Sequence, residues 1–219
     1  MFETKGVEIR RDIHFSEYQA IDRLNFSTAK YIKKCPRVMA ASGSVEATAA
    51  MVLGTAVHTA ILEPASFKRG YKPAPKGTRR GTKAWKEVAE MYPKAEIIRR
   101  NEYDEVVAMR DSVLSNGDAA CLLKGEGCNE LSIVWEDVST GLELKARVDR
   151  CISDGDDAYV IDIKTTQNAA PYAMASRMVS DPFYYLLQMA WYQRAYYAAY
   201  GVLPKCVIIS VEKGPGNPV

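Results

Sequence analysis

Arg147-Val148-Asp149 is followed, after a short polar turn, by Val160-Ile161-Asp162-Ile163-Lys164-Thr165-Thr166. Both stretches have the composition of strands, and side chains at i and i+2 of a strand share a face. Asp162 and Lys164 therefore project together, and Asp149 can meet them from a neighbouring strand. Two carboxylates can hold a hard divalent cation while leaving room for water. The cation lowers the pKa of that water, and an ammonium beside it positions the attack and offsets developing negative charge. This is the chemistry of phosphodiester hydrolysis. Asp-x-Lys alone carries little, since about one instance arises by chance in a chain this long. Its setting carries more. Val160, Ile161 and Ile163 make Asp162 and Lys164 polar exceptions on an apolar strand, where unpartnered charge is costly.

Two helices offer further groups. His58 lies in the Ala-rich stretch Gly54-Thr55-Ala56-Val57-His58. A lone histidine on an apolar helix is more often a hydrogen-bonded core residue than a ligand. Gly54, one turn earlier on the same face, admits close approach of another backbone, which suits a helix packed on the sheet edge with His58 toward the site. Gln188 and Tyr192 are also one turn apart and share a face. Either can hydrogen-bond a phosphate oxygen; the competing reading is a helix whose many tyrosines simply pack.

The elements that must position these residues follow from periodicity. Residues 15–34 read as helical and stop before Pro36. Residues 44–62 read as a helix capped by Ser44 with Glu46 in its first turn. Residues 64–81, rich in Pro, Gly and Lys, read as a long loop. Helices are expected over 82–91, 101–114 and 118–124. The period then shortens: 130–136, 142–152 and 159–164 read as strands, joined by turns at 139–141 and 154–156. Helices follow over 171–178 and from Asp181-Pro182 to Tyr200, ended by Gly201. Residues 207–211 form a last, continuously apolar strand suited to burial on both faces. The expectation is an α/β fold, a central mixed sheet flanked by helices with a helical N-terminal region.

The chain of 219 residues, with 47% hydrophobic and 26% charged residues, suits a single globular domain. Residues 1–43 would be the N-terminal helical segment and 44–213 the core. Five cysteines without a Cys-x-x-Cys signal neither a zinc site nor a disulfide framework, and fit reduced thiols in the cytoplasm. The N-terminus has no apolar signal core, and no stretch approaches the ~20 apolar residues of a membrane span. The net charge of +2 hides an asymmetry: residues 68–100 carry eleven Lys and Arg against three Glu. That excess fits a polyanion partner, with Arg79, Arg80 and Lys83 as candidate contacts, or else a solvated surface. Arg147 is a further candidate for a phosphate.

Taken in order, Gly54-Thr55-Ala56-Val57-His58, Leu62-Glu63-Pro64, Glu130, Thr140-Gly141, Lys145, Arg147, Asp149, Asp162-Ile163-Lys164-Thr165-Thr166 and Gln188-x-x-x-Tyr192 resemble the RecE-like (exodeoxyribonuclease VIII) branch of the PD-(D/E)XK nuclease superfamily. The resemblance runs from about residue 15 to 213. It implies a restriction-endonuclease-like core. It implies Asp149 and Asp162 as metal carboxylates, the Ile163 carbonyl as a further ligand, His58 as a metal-proximal residue and Lys164 as the assistant of the attacking water. Gln188 and Tyr192 would stand near the scissile phosphate. Glu130 occupies a recurrent acidic position.

The same resemblance implies a Mg²⁺-dependent exonuclease, with Mn²⁺ as substitute, degrading linear double-stranded DNA from 5′ ends in phage-type recombination. The setting would be a bacterial host with a phage or prophage gene. A ring-shaped homo-oligomer, trimeric or tetrameric, and a single-strand annealing partner belong to the same expectation. Relatives usually continue past Val219, so a truncated C-terminus is expected. Some related nucleases hold an iron–sulfur cluster through one upstream and three downstream cysteines; here only Cys206 follows Tyr192, so no such cluster is expected. The alternatives are an endonuclease or single-strand nuclease of the same superfamily, and a non-catalytic DNA-binding relic of the fold.

Overall fold

The computed structural model describes residues 3–41, 48–154 and 157–219. Its elements, in order, are β1 (Thr4–Arg10), α1 (Phe15–Ala20), α2 (Phe26–Ala29) continued by a 3₁₀ turn (Lys30–Lys33), α3 (Pro36–Ala41), α4 (Ala49–Leu62), α5 (Pro64–Gly70), β2 (Tyr71–Pro73), α6 (Lys83–Met91), β3 (Glu96–Ile98), α7 (Arg100–Ser115), α8 (Gly117–Lys124), β4 (Gly127–Asp137), β5 (Leu142–Asp154), β6 (Asp157–Thr166), α9 (Pro171–Val179), α10 (Tyr185–Tyr200) and β7 (Lys205–Glu212). The main sheet is mixed and five-stranded, in the order β1-β4-β5-β6-β7, and helices flank it. Strands β4, β5 and β6 form the expected antiparallel meander. No helix among the described residues is long and apolar enough to cross a membrane.

The chain forms two compact units whose boundary falls within β6 and within β7. The first comprises Met1–Glu46, Gly125–Asp162 and Ala170–Ile208. Its core packs the inner faces of β4 and β5 (Leu131, Ile133, Trp135, Leu144, Ala146, Val148) against Met189, Tyr192, Ala195 and Tyr196 of α10. Each fully buried aliphatic side chain contributes roughly 1.5–3 kcal/mol of transfer free energy. Trp191 closes the layer by donating its Nε1–H to the Lys145 carbonyl at 3.0 Å.

The second unit comprises Ala47–Lys124, Ile163–Ala169 and Ile209–Val219. Its core includes Ala56, Val57 and Ala60 of α4, with Val106, Met109 and Val113 of α7. Phe67 stacks with both Tyr71 and Tyr103. Thr48 caps α4 by accepting from the Met51 N–H; Ser44 and Glu46, expected in that role, lie outside the described residues, as do Gly155 and Asp156 of the β5–β6 turn.

Three local expectations are corrected. Residues 64–73 are not loop: Pro64 is pre-set for the first helical turn of α5, and β2 then pairs in parallel with β3. Residues 15–34 are not one helix, because Ile21 to Asn25 break away and Leu24 pairs with β5. The long helix opens at Tyr185 rather than Asp181, since the Ser180 carbonyl accepts from Phe183 and Tyr184 and closes a turn first.

Candidate active site

Strands β5 and β6 are antiparallel, and their pairing includes Cys151↔Val160 and Arg150↔Ile161. The adjoining residues on that register are Asp149 and Asp162. Both carboxylates are withdrawn from solvent, Asp162 to 1% and Asp149 to 9% exposure. Burial of two acids side by side is unfavourable for the anions unless a cation or donors compensate. One donor is Gln188 of α10, whose Nε2 reaches Asp162 Oδ1 at 3.2 Å and the Tyr192 hydroxyl at 2.9 Å. Helical spacing brings Gln188 and Tyr192 together, and Val160 packs in the same core layer as Met189 and Tyr192 of their helix.

Tyr192 is a sensor of both acids. Burial first, then the charges of Asp162 and Asp149, push its phenol well above the ordinary range, with the hydrogen bond from Gln188 acting weakly the other way. It stays a neutral hydroxyl, able to donate and accept.

Glu130 sits across from Asp149 on the β4–β5 register, between the pairs Asn129↔Arg150 and Leu131↔Val148. Its φ of 53° places it in the left-handed region, which a non-glycine residue adopts at a cost of about 1–3 kcal/mol. The Glu130 carboxylate accepts from Arg147 Nε at 2.5 Å. Arg147 also donates to the Ile13 carbonyl at 3.1 Å and Ser132 Oγ at 3.3 Å, and lies over the Phe15 and Tyr18 rings. The residue expected to meet a phosphate thus fixes Glu130 and the N-terminal segment. One residue pair back, Lys145 is buried at 4% exposure and donates to the carbonyls of Tyr18, Gln19 and Ile21.

The second unit carries Lys164 and His58. Lys164 is half-buried on β6, two residues after Asp162. A Cβ at Gly54 would stand 3.3 Å from Thr165 Oγ1, so α4 presses on the end of β6 at this point. His58, half-buried, is one turn further along α4. Arg79, Arg80 and Lys83 are exposed; Arg80 lies over the Trp85 ring and 3.8 Å from Glu96, and Lys83 is 4.0 Å from Glu87. Such surface pairs hold a cation weakly, by about 0–1 kcal/mol, and leave it available to a stronger partner. A cleft of about 710 Å³ in this unit is lined by Lys76, Thr78, Arg99, Arg100, Asn101 and Asp104. None of these residues carries the acidic pair, so the cleft is a basic surface feature rather than the centre of the chemistry.

Of the residues singled out in the sequence, the structure brings Asp149, Asp162, Gln188 and Tyr192 together in the first unit, with Glu130 and Arg147 alongside; His58, Lys164, Arg79, Arg80 and Lys83 belong to the second. The clamp of Lys145 and Arg147 on the segment around Tyr18 is a feature that sequence reasoning misses. Its signal is two cations at i and i+2 of a strand, each needing acceptors, and an aromatic pair, Phe15 and Tyr18, at helical spacing.

The donor set fits Mg²⁺. Among the described residues no group of three or more His, Cys, Asp or Glu side chains forms a metal cluster. Two carboxylates with open positions are what this ion prefers, since it keeps several waters and tolerates few protein ligands.

A family model described as a PDDEXK-like domain of unknown function (DUF3799) matches residues 25–215. Comparison with curated proteins gives no match. Among solved structures, a crystal structure titled "Putative exonuclease", from Eubacterium rectale, is similar, with a TM-score of 0.58 at 10% identity, covering 94% of this chain and 76% of that one. At that identity the likeness speaks to the fold.

Proposed function

The chain belongs to the PDDEXK-like domain family DUF3799, within the PD-(D/E)XK superfamily, and from that premise we propose that it is a metal-dependent deoxyribonuclease, an exonuclease acting on linear double-stranded DNA. The observation that carries the reading is the buried pair Asp149 and Asp162 on adjacent strands, with Gln188 donating to Asp162. Asp149 and Asp162 would hold Mg²⁺ or Mn²⁺, with the carbonyl of Ile163, the next residue of β6, as a further ligand. When bound, the cation supplies a water of lowered pKa and a counter-charge for the phosphate.

The chain's own residues do the rest. Lys164, on the same strand as Asp162, orients the attacking water and offsets charge on the pentacoordinate phosphorus. Gln188 fixes the orientation of the Asp162 carboxylate. Tyr192, kept neutral by its buried surroundings, donates to a phosphate oxygen without adding charge. Arg79, Arg80 and Lys83 hold the duplex backbone independently of sequence. Arg147 keeps Glu130 in place. In its fuller form the reading is RecE-like: 5′ to 3′ resection by a homo-oligomeric ring that hands single strands to an annealing protein.

The test is digestion of end-labelled linear duplexes with Mg²⁺, beside circular and 5′-blocked substrates. Linear DNA should be shortened from its ends, and Asp162→Ala should abolish cleavage while retaining DNA binding. Cleavage by Asp162→Ala at the wild-type rate would remove the assignment. Cutting of closed circles would replace the exonuclease with an endonuclease, and binding without any cleavage would leave a DNA-binding relic.

A further inference from the structure

Cys128 on β4 and Cys151 on β5 are direct partners in the antiparallel register. Cross-strand partners have Cα atoms about 4.5 or 5.5 Å apart, depending on whether the pair is hydrogen-bonded. Both values lie in the range, about 4.4–6.8 Å, that a disulfide spans. Partners in register also point to the same face. The packing agrees: Cys151 is a buried member of the core layer that includes Val160 and Tyr196, and Cys128 packs on that layer from its margin. A further close approach draws the strands together at this point. Gly127 lies so close to β5 that a Cβ there would overlap the Cys151 carbonyl oxygen and the Ile152 side chain. Only glycine fits there.

The two thiols differ in access. Cys151 is 5% exposed, whereas Cys128 is partly exposed. A reagent therefore meets Cys128 first, and Cys151 waits behind it.

We propose that Cys128 and Cys151 form a reversible dithiol–disulfide couple, operated by low-molecular-weight disulfides. The Cys128 thiolate attacks one sulfur of the small disulfide; a protein–reagent S–S bond forms, the reagent's own S–S bond breaks, and one small thiolate leaves. Cys151, buried and so still protonated, then attacks the Cys128 sulfur, passes its proton to the departing group and expels the second small thiol. Two protein thiols are oxidised, one small disulfide is reduced to two thiols, and the two cysteine protons end on them. The bond ties β4 to β5 two residues from Asp149 on one strand and two from Glu130 on the other. The couple stands on the strand register and does not depend on the nuclease reading.

The experiment equilibrates the intact protein in mixtures of reduced and oxidised glutathione, traps remaining thiols by alkylation after unfolding, and maps tryptic peptides without reduction. In the oxidised mixture the peptides 125–145 and 151–164 should appear joined, with Cys128 and Cys151 lost to alkylation together, and excess reduced glutathione should release both. Exposed Cys35, Cys121 and Cys206 should carry at most single glutathione adducts. In Cys151→Ser the reaction should stop with glutathione on Cys128; in Cys128→Ser, Cys151 should remain a free thiol. Wild-type protein that stops with glutathione on Cys128 while Cys151 stays alkylatable overturns the proposal, as does a Cys128 that never reacts.

Discussion

Gln188 Nε2 donates to Asp162 Oδ1 across 3.2 Å, from the helix layer down onto the strand. The carboxylate cannot rotate freely while that bond is made, and the same nitrogen holds the Tyr192 hydroxyl at 2.9 Å. Removing an outer partner of a metal carboxylate typically costs 10–100-fold in metal affinity or activity. Gln188→Ala should accordingly lower Mg²⁺-dependent cleavage by about 10–100-fold, partly restored at high Mg²⁺. Titration of rate against Mg²⁺ checks this; an unchanged rate and Mg²⁺ requirement would mean that the bond has no part in the chemistry.

Arg79, Arg80 and Lys83 should act as phosphate-binding cations and nothing more. The triple replacement by Ala should weaken duplex binding equally on unrelated sequences. The slope of log affinity against log salt should become shallower by about 0.9 for each phosphate left without its cation. Fluorescence anisotropy over a salt series measures both. Affinity and slope equal to wild type would assign the basic segment to solvent.

Gly54 stands where a methyl group would press on Thr165 Oγ1 at 3.3 Å. Gly54→Ala adds about 1 kcal/mol of helix propensity and gives up a similar amount to that crowding, so its stability should stay within about 1 kcal/mol of wild type. Gly54→Val adds bulk that the packing cannot absorb and should cost about 1–3 kcal/mol. Urea unfolding distinguishes the two, and a Val variant as stable as Ala would show that α4 can move away from Thr165.

Alkaline pH should destabilise the fold through Tyr18. Burial raises its phenol well above the ordinary 10.0, with the Arg147 charge acting weakly the other way. Below pH 10 both folded and unfolded states hold the proton, and the stabilisation is intact. Above pH 10 the unfolded chain releases it first, so stability falls as pH rises toward the folded value, by at most about 1.4 kcal/mol per pH unit. Unfolding free energies between pH 9 and 11.5 should show this decline, and Tyr18→Phe should make it shallower while leaving the share that buried Tyr192 contributes; an equal decline in the variant would place the titration elsewhere.

The sequence is most legible where one residue type has one physical use. Alternation in β4 to β6 and the turn at Ser139-Thr140-Gly141 deliver the meander, and with it the adjacency of Asp149 and Asp162. Helical spacing delivers Gln188 with Tyr192, and Gly54 marks a close approach. Legibility fails where local composition is overridden from outside. Strand β1, with Lys5, Glu8 and Arg10, is exposed along most of its length and owes its form to pairing with β4. Residues 64–73 look like loop because Pro and Gly punctuate them, yet Pro64 starts a helix and Tyr71 joins a strand that needs β3, more than twenty residues away, to exist. The left-handed Glu130 has no sequence mark at all, since glycine is the usual occupant of that conformation.

Lys145 gives the N-terminal segment a standing that its exposed strand and short helices conceal. Three carbonyls from Tyr18 to Ile21 share one buried ammonium, and that ammonium grows from the strand that bears Asp149 two residue pairs further on. Anyone trimming this chain to a minimal domain would find the cut at residue 24 poorly chosen. It would strip three backbone acceptors and the Tyr18 ring from the Lys145 ammonium and open that part of β5 to water. The first two dozen residues are the lid of a solvation shell, and a domain boundary drawn by similarity alone, at residue 25, passes directly through it.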